Sequence, residues 1–307
     1  MNHRRDFLVR TGLAAGALLL SPLACARDTG ARGPLAVRRI PSTGEALPVI
    51  GMGTSGSFEV GADDAQRAPL REVLEAFLAA GARVIDTSPN YGSAEDVLGD
   101  LLAERTARAR IFLASKLAAE GRDAGLAQFE RSLQRLRTDR LDLLQVHNLR
   151  DWRTQIEVAR ELKRAGKVRY IGLTHYRDDA HDALAEAMRA SRPDFVQVNY
   201  SVVSRNAERR VLPLAQELGV AVIANRTFED GRLFAQVRGK PLPAWAREVG
   251  ADSWAQLFLK FALSHPAITV VIPATSKARN QRDNLGAGTG PMLDDAQRAA
   301  LVAALEG

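Results

Sequence analysis

Residues 141–175 read L-D-L-L-Q-V-H-N-L-R-D-W-R-T-Q-I-E-V-A-R-E-L-K-R-A-G-K-V-R-Y-I-G-L-T-H. An apolar run from Leu141 to Val146 stops at His147. From Ile156 to Ala165 apolar residues then recur three and four apart, the spacing of one helix face. Gly166 follows where that helix should end, because glycine tolerates the left-handed conformation found there. A second run, Val168 to Leu173, stops at Thr174-His175. Run, helix, run is the repeating unit of a parallel sheet covered by helices.

The same alternation extends in both directions. Upstream runs are Val49 to Met52, Arg83 to Asp86 and Ile111 to Ala114; downstream runs are Phe195 to Val198, Ala221 to Ala224 and Thr269 to Ile272. Helix-like stretches lie between them, such as Leu70 to Ala80, Ala94 to Leu102, Leu126 to Leu136 and Trp254 to Leu263. Gly81 and Gly219 again mark helix ends. Eight units in one chain predict an α/β fold of the (β/α)8 TIM barrel type, whose usual length is about 250 residues. A doubly wound open sheet is the alternative. It would show a glycine-rich turn after its first strand opening a helix. Gly51-Met52-Gly53-Thr54-Ser55-Gly56 is glycine-rich, but no helical pattern follows directly.

Composition sets the class. Of 307 residues, 46% are apolar and 25% charged, which suits a folded globular chain. The formal charge is +6, of which Arg4, Arg5 and Arg10 against Asp6 contribute a net +2. Arginine is scattered among Asp and Glu on helix-like stretches, so no nucleic-acid partner is expected. The single cysteine, Cys25, excludes an intramolecular disulfide and a thiol-based catalytic site in the globular part. His3, His147, His175, His181 and His265 match no metal-binding spacing, and no metal is expected.

The first residues read as an address. N-H-R-R-D-F-L-V-R leads into a short apolar stretch, Leu13 to Leu20, and then S-P-L-A-C-A. A charged start, an apolar middle and an A-x-A site make a secretory signal peptide over residues 1–26, cleaved after Ala26. The apolar stretch is shorter than the roughly 20 residues that span a bilayer. Arg4-Arg5 followed by Asp6, Phe7 and Leu8 resembles the twin-arginine signal, whose machinery exports folded proteins. A periplasmic or otherwise exported soluble product is expected, without a membrane span once mature. Lipid attachment at Cys25 is the alternative. A flexible linker over residues 27–37 and a barrel over 38–307 complete the layout.

In such barrels reactive groups sit at the C-terminal ends of the strands. There stand Asp86 with Tyr91 just beyond it, Lys116, His147, Thr174, and Gln197 with Asn199. Singly, Asp86 could cap a turn, Lys116 could be a surface residue and His147 a satisfied buried histidine. Together they suit reduction of a carbonyl. Hydride transfer creates an alkoxide that needs a proton, and a Tyr hydroxyl, with an ordinary pKa of about 10, gives it up when a cation stabilises the phenolate. Lys supplies that cation, Asp holds the Lys, and neutral His can donate to the carbonyl oxygen.

From about residue 38 onward the chain resembles the aldo/keto reductase family. The resemblance rests on D-T-S-P-N-Y-G-S-A-E-D-V-L-G (86–99), S-L-Q-R-L-R-T-D-R-L-D-L-L-Q-V-H (132–147), G-K-V-R-Y-I-G-L-T-H (166–175) and V-I-P-A-T-S-K-A-R-N-Q-R-D-N-L (271–285). It implies that Tyr91 gives or takes the proton, that Lys116 and Asp86 tune it, and that His147 positions the carbonyl. It implies NADP(H) as cofactor, with NAD(H) as the alternative, and a small-molecule carbonyl substrate. Gln197 would touch the nicotinamide carboxamide, Asn284 the adenine end, with Asp283 beside it. Thr54, Thr275 and Ser276 complete the implied cofactor contacts. The chain departs from the pattern in four places. Thr174-His175 replaces the usual Ser-Asn. A-N-R-T-F-E-D-G (224–231) replaces a stacking Tyr and Ser-Pro-Leu-Gly; Asn225 cannot stack as that Tyr does, Arg226 or Phe228 would take part of its place, and Asn225 and Arg226 are counted among the implied cofactor contacts. Ala274 stands where a Lys often binds the 2′-phosphate, and Asn280 where an Arg often sits. Lys277, Arg279 and Arg282 lie near enough to take over that role. The alternative function is a non-catalytic nucleotide-binding barrel, acting as a redox sensor or as a subunit for an unknown redox partner.

Overall fold

The computed structural model describes residues 33–104 and 107–306. The expectations for residues 1–26, including Arg4-Arg5, Cys25 and Ala26, lie outside the described residues.

The chain first makes a short hairpin, β1 (Val37–Arg39) and β2 (Ala46–Pro48), paired antiparallel. It then alternates strand and helix. β3 (Met52–Gly53) leads to α1 (Asp64–Ala79), β4 (Val84–Asp86) to α2 (Ala94–Glu104), and β5 (Phe112–Leu117) to α3 (Arg122–Arg135). β6 (Leu141–His147) leads to α4 (Trp152–Arg164), β7 (Val168–His175) to α5 (His181–Ser191), and β8 (Phe195–Asn199) to α6 (Val211–Leu218). β9 (Ala221–Asn225) is followed by short α7 (Arg232–Gln236) and then α8 (Trp254–Leu263). β10 (Ile268–Val271) is followed by α9 (Ala278–Gly286) and α10 (Asp295–Glu306). Strands β3 to β10 pair in sequence order, each neighbour parallel. Parallel bridges between Ile50 and Val271 and between Gly53 and Ala274 join the last strand to the first, which closes the (β/α)8 barrel.

Each of the eight apolar runs therefore falls on a barrel strand, within a few residues at its ends. The hairpin gave no such signal, because each of its strands has only three residues. Helix α4 shows why the pattern works. Ile156, Val158, Ala159 and Leu162 are buried against the sheet, while Arg153, Glu157 and Arg164 face outward. Each buried Ile or Leu contributes roughly 1.5–3 kcal/mol. Gly166 and Gly219 end α4 and α6 at φ 72° and 66°, a region that costs a side-chain-bearing residue energy. Helix α8 is different: Ala255 to Leu263 is buried on every side. Lys260, wholly buried within it, gives its ammonium to the carbonyls of Thr289 (2.7 Å) and Pro291 (2.8 Å).

The barrel interior is packed, not hollow. Val84, Phe112, Leu143, Tyr170, Phe195, Ile223 and Val270 fill it, and Ile40 and Leu47 of the hairpin pack with them. The rings of Phe112, Tyr170 and Phe195 lie 5.5–5.8 Å apart. The hairpin is tied to strand starts: Arg83 donates to Ala46 O, Glu45 pairs with Arg169, and Thr43 bonds Tyr170. That end is plugged, so an open site is left to the C-terminal ends of the strands. Among the described residues, no helix is long and apolar enough to cross a membrane.

Candidate active site

At the open end lies a cavity of about 950 Å³. Ligand pockets commonly span about 300–1,000 Å³. Strand register brings the polar residues to one level. Gly53 pairs with Asp86, Lys116 with Gln145, and His147 with Thr174, which pairs in turn with Gln197. Because strands alternate faces, polar residues two apart in one strand, such as Gln145 and His147, project the same way.

Lys116 and Asp86 form a buried ion pair, Nζ to Oδ2 at 2.5 Å. Lys116 also donates to Thr87 O at 2.8 Å. Burial opposes the Lys116 charge, but the Asp86 carboxylate and the Tyr91 phenol outweigh it and hold the ammonium above the usual lysine range. The other oxygen of Asp86, Oδ1, accepts from Gln145 Nε2 (2.8 Å) and Gln197 Nε2 (2.9 Å). Asp86 is thus held from both sides.

Tyr91 is set by the turn between β4 and α2. Its N–H donates to Ser88 O (3.1 Å) and its carbonyl accepts from Ala94 N–H (2.8 Å). Its ring lies 5.0 Å from Lys116 Nζ and meets the His147 ring edge-on, with centroids 5.9 Å apart. Burial pushes the Tyr91 phenol up and the Lys116 charge pulls it back, with a net upward result. The resting phenol therefore keeps its proton at neutral pH. His147 is pushed down to about 3, by burial first, then by the Lys116 charge and His175. It is neutral. Its Nδ1 shares a 3.1 Å hydrogen bond with Ser88 Oγ, which also accepts from Asn90 N–H at 3.2 Å. With the hydroxyl accepting from Asn90, its own proton is free for Nδ1, which leaves the imidazole proton on Nε2.

The four expected catalytic residues therefore meet at one place. Of the expected cofactor contacts, Thr54, Thr174, Gln197, Asn225, Arg226, Thr275, Ser276 and Lys277 line the same cavity. Arg279, Asp283 and Asn284 do not. Arg279 is exposed, Asn284 is buried, and the Asp283 carboxylate accepts from Ser253 Oγ (2.8 Å) and Gln256 Nε2 (2.6 Å) at the start of α8. Asn280 lines the cavity one turn before Asp283. Arg226 is partly engaged already: it pairs with Asp230 and stacks over Tyr176 at 5.2 Å. Two functional groups carried a sequence signal that the strand-end reading passed over. Gln145 is a wholly buried amide two residues before His147, and Ser88 sits in the same turn as Tyr91. Glu95, within the 86–99 stretch, is structural. It accepts from Ser115 Oγ (2.7 Å) and Ser132 Oγ (3.1 Å), pinning α2 to β5 and α3.

Residues 49–306 match the model of the Aldo/keto reductase family. Aldo-keto reductase YhdN of Bacillus subtilis is 32% identical over 197 residues, 58% of this chain; the chain spans only 57% of that relative's length. Methylglyoxal reductase YeaE of Escherichia coli is 29% identical over 244 residues, covering 77% of this chain and 84% of the relative. An aldo-keto reductase from Klebsiella pneumoniae, solved in complex with NADPH, superposes with a TM-score of 0.73 at 27% identity, covering 89% of this chain and 96% of that one.

Proposed function

The chain belongs to the aldo/keto reductase family, and we propose that it works as an NADP(H)-dependent reductase of aldehydes or ketones with Tyr91 as proton donor. The observation that carries this reading is the convergence of Asp86, Tyr91 and His147 on one cavity, with Lys116 buried behind them against Asp86 and the Tyr91 ring. The E. coli relative named for methylglyoxal reduction and the Klebsiella structure holding NADPH support a carbonyl substrate and a phosphorylated nucleotide.

The residues suit that nucleotide. The cavity runs from the catalytic residues to the start of α9, where Thr275, Ser276 and Lys277 offer hydroxyls and a cation. The first turn of a helix also presents unpaired N–H groups to a phosphate. Lys277 supplies the cation that Ala274 lacks. Bound there, NADPH would supply the hydride.

The chain's own residues do the rest. His147 donates from Nε2 to the carbonyl oxygen and orients it. Tyr91 passes its proton to that oxygen as negative charge develops. Lys116 stabilises the phenolate left behind, and Asp86 keeps Lys116 in place. In the reverse direction the phenolate takes the proton from an alcohol. Replacing Tyr91 by Phe tests this directly. Turnover of a carbonyl substrate should fall about 10²–10⁴-fold while NADPH binding is kept. Unchanged turnover would remove Tyr91 from the role.

The N-terminal sequence supports export by the twin-arginine route as a folded protein, with the nucleotide bound beforehand and carried across. Free NADPH is not expected outside the cytoplasm, which motivates the second half of this reading. Mature protein recovered from the periplasm should contain nucleotide; protein that is always empty would defeat it. The mass of the mature chain separates cleavage after Ala26 from lipid attachment at Cys25.

A further inference from the structure

Arginines that are scattered along the sequence come together at one pole of the folded chain. In a β/α barrel the helices return the chain to the strand starts, so the residues ahead of each strand share the plugged end. Arg83 stands directly before β4, Arg140 directly before β6 and Lys167 directly before β7, while Arg110 and Arg192 lie just ahead of β5 and β8. These strands pair in sequence order, so their starts are neighbours around the rim. Two adjoining hollows, which share Arg108, Thr138 and Asp139, lie among these residues.

Most acids at this pole are already engaged. Asp142 pairs with Arg169 at 2.9 Å and with Arg108 at 3.1 Å, and Glu45 pairs with Arg169. Asp194 takes Lys163 at 2.6 Å. Among the described residues, the side chains of Arg110, Arg140, Lys167 and Arg192 have neither an ion pair nor a hydrogen bond, and all four are exposed. The acids lining the two hollows without a pair are Glu130 and Asp139. The surplus is positive, and none of it is used by the cavity at the other pole. A surplus of one sign on one face attracts a partner of the other sign.

We propose that the plugged pole docks on a membrane surface rich in anionic phospholipid, with the cavity mouth turned away. The free cations come from separate turns and spread over neighbouring strand starts, which suits a field of head groups. Each Lys or Arg held near such a surface adds to the attraction. Val37, 58% exposed, offers an apolar side chain on the hairpin at the same pole. The choice of lipid among anionic partners rests on the export reading, in which the apolar stretch Leu13 to Leu20 ahead of the hairpin meets a membrane. The docking itself requires neither nucleotide nor catalysis.

The test is flotation of the full chain with vesicles of phosphatidylcholine, with and without phosphatidylglycerol. The N-terminal segment is common to every variant, so what is compared is each variant's preference for the anionic vesicle. With Arg110→Gln, Arg140→Gln and Lys167→Gln combined, that preference should drop about 100-fold, at about fivefold per charge. A second triple variant, Arg238→Gln, Arg247→Gln and Arg279→Gln, removes as many exposed cations from the segments that follow β9 and β10. It should stay within about twofold of wild type, because charges more than about 10 Å from the surface are screened. Both variants are checked for a native urea transition. Equal losses in the two variants would make net charge the cause and overturn the proposal. So would wild type that binds both vesicles alike, and retention on duplex DNA or polyglutamate without a preference between vesicles would put that polyanion in place of lipid. Cell fractionation tests export separately: anionic vesicle binding lost only in the first variant, by a chain that is never exported, keeps the docking and removes the export reading.

Discussion

Removing the buried cation at Lys116 separates its electrostatic role from its structural one. In Lys116→Met, Tyr91 loses a positive charge 5.0 Å from its ring. At an effective dielectric constant of about 20, Coulomb's law gives that charge about 3 kcal/mol of preference for the phenolate, or roughly two pH units. Loss of a cation disfavours the phenolate, so the sign is upward. The acid is weaker in reduction, and in alcohol oxidation the limb that requires phenolate moves about two units toward alkaline pH. The same substitution strands the nearly buried Asp86 carboxylate, whose Oδ2 had its partner at 2.5 Å. Breaking a buried pair on one side costs roughly 3–5 kcal/mol of stability. The assay is the pH profile of kcat/KM for alcohol oxidation beside urea unfolding, for Lys116→Met and for Lys116→Met with Asp86→Asn. The double variant should recover much of the stability, since no charge is left buried alone, without moving the pH limb back. A limb that stays where wild type has it would refute the assignment of Lys116 as the group that tunes Tyr91.

Other outcomes follow from the same geometry. His147 is held at about 3 against an ordinary 6.5, so the fold favours its neutral form. Its contribution is complete above about pH 6.5 and is lost as pH falls toward 3, because the unfolded chain takes up the proton first. Thermal unfolding from pH 7 to 4 should show a steeper loss for wild type than for His147→Asn; parallel curves would contradict a depressed His147. Gln145→Leu leaves Asp86 Oδ1 with one donor fewer and Gln197 Nε2 with one acceptor fewer, at a cost of about 1–3 kcal/mol. Turnover should fall while NADPH affinity stays within about twofold, and a loss of affinity alone would show that Gln145 serves binding. Gly99→Ala places a Cβ 2.1 Å from Arg135 O, between α2 and the end of α3. The usual helix gain of about 1 kcal/mol for Ala over Gly should be reversed into a loss of several kcal/mol, read by urea unfolding; a stabilised variant would mean that the two helices part easily.

Much of this was legible in order of strand. Asp86, Lys116 and His147 stand at or near the ends of apolar runs, and a closed parallel sheet brings such ends together whatever the loops do. Tyr91 follows from its distance beyond Asp86 in a turn. The start of α9 is less legible, because a helix turns its residues through 100° at each step. Lys277 and Asn280, three apart, face the cavity, whereas Arg279 between them faces solvent. Asp283, one turn further on, is drawn off to hold the first turn of α8. Gln145 was hidden for a different reason. In a strand buried on both faces, polarity gives no outward direction, and only strand parity with His147 marks it as facing the site. The hairpin was invisible because its role is to fill space, and Ile40 and Leu47 are too few to form a periodic signal.

The hairpin also fixes where the chain enters the barrel. Val37 pairs with Pro48 beneath the floor, and the hairpin is fastened to Arg83, just ahead of β4, and to Arg169 and Tyr170, near the start of β7. Among the described residues, the chain thus enters the barrel at the pole opposite the mouth. A purification handle, a surface linker or a fused electron-transfer domain placed there would leave the entrance facing outward. For immobilisation on an electrode or bead, this end is the one to tether.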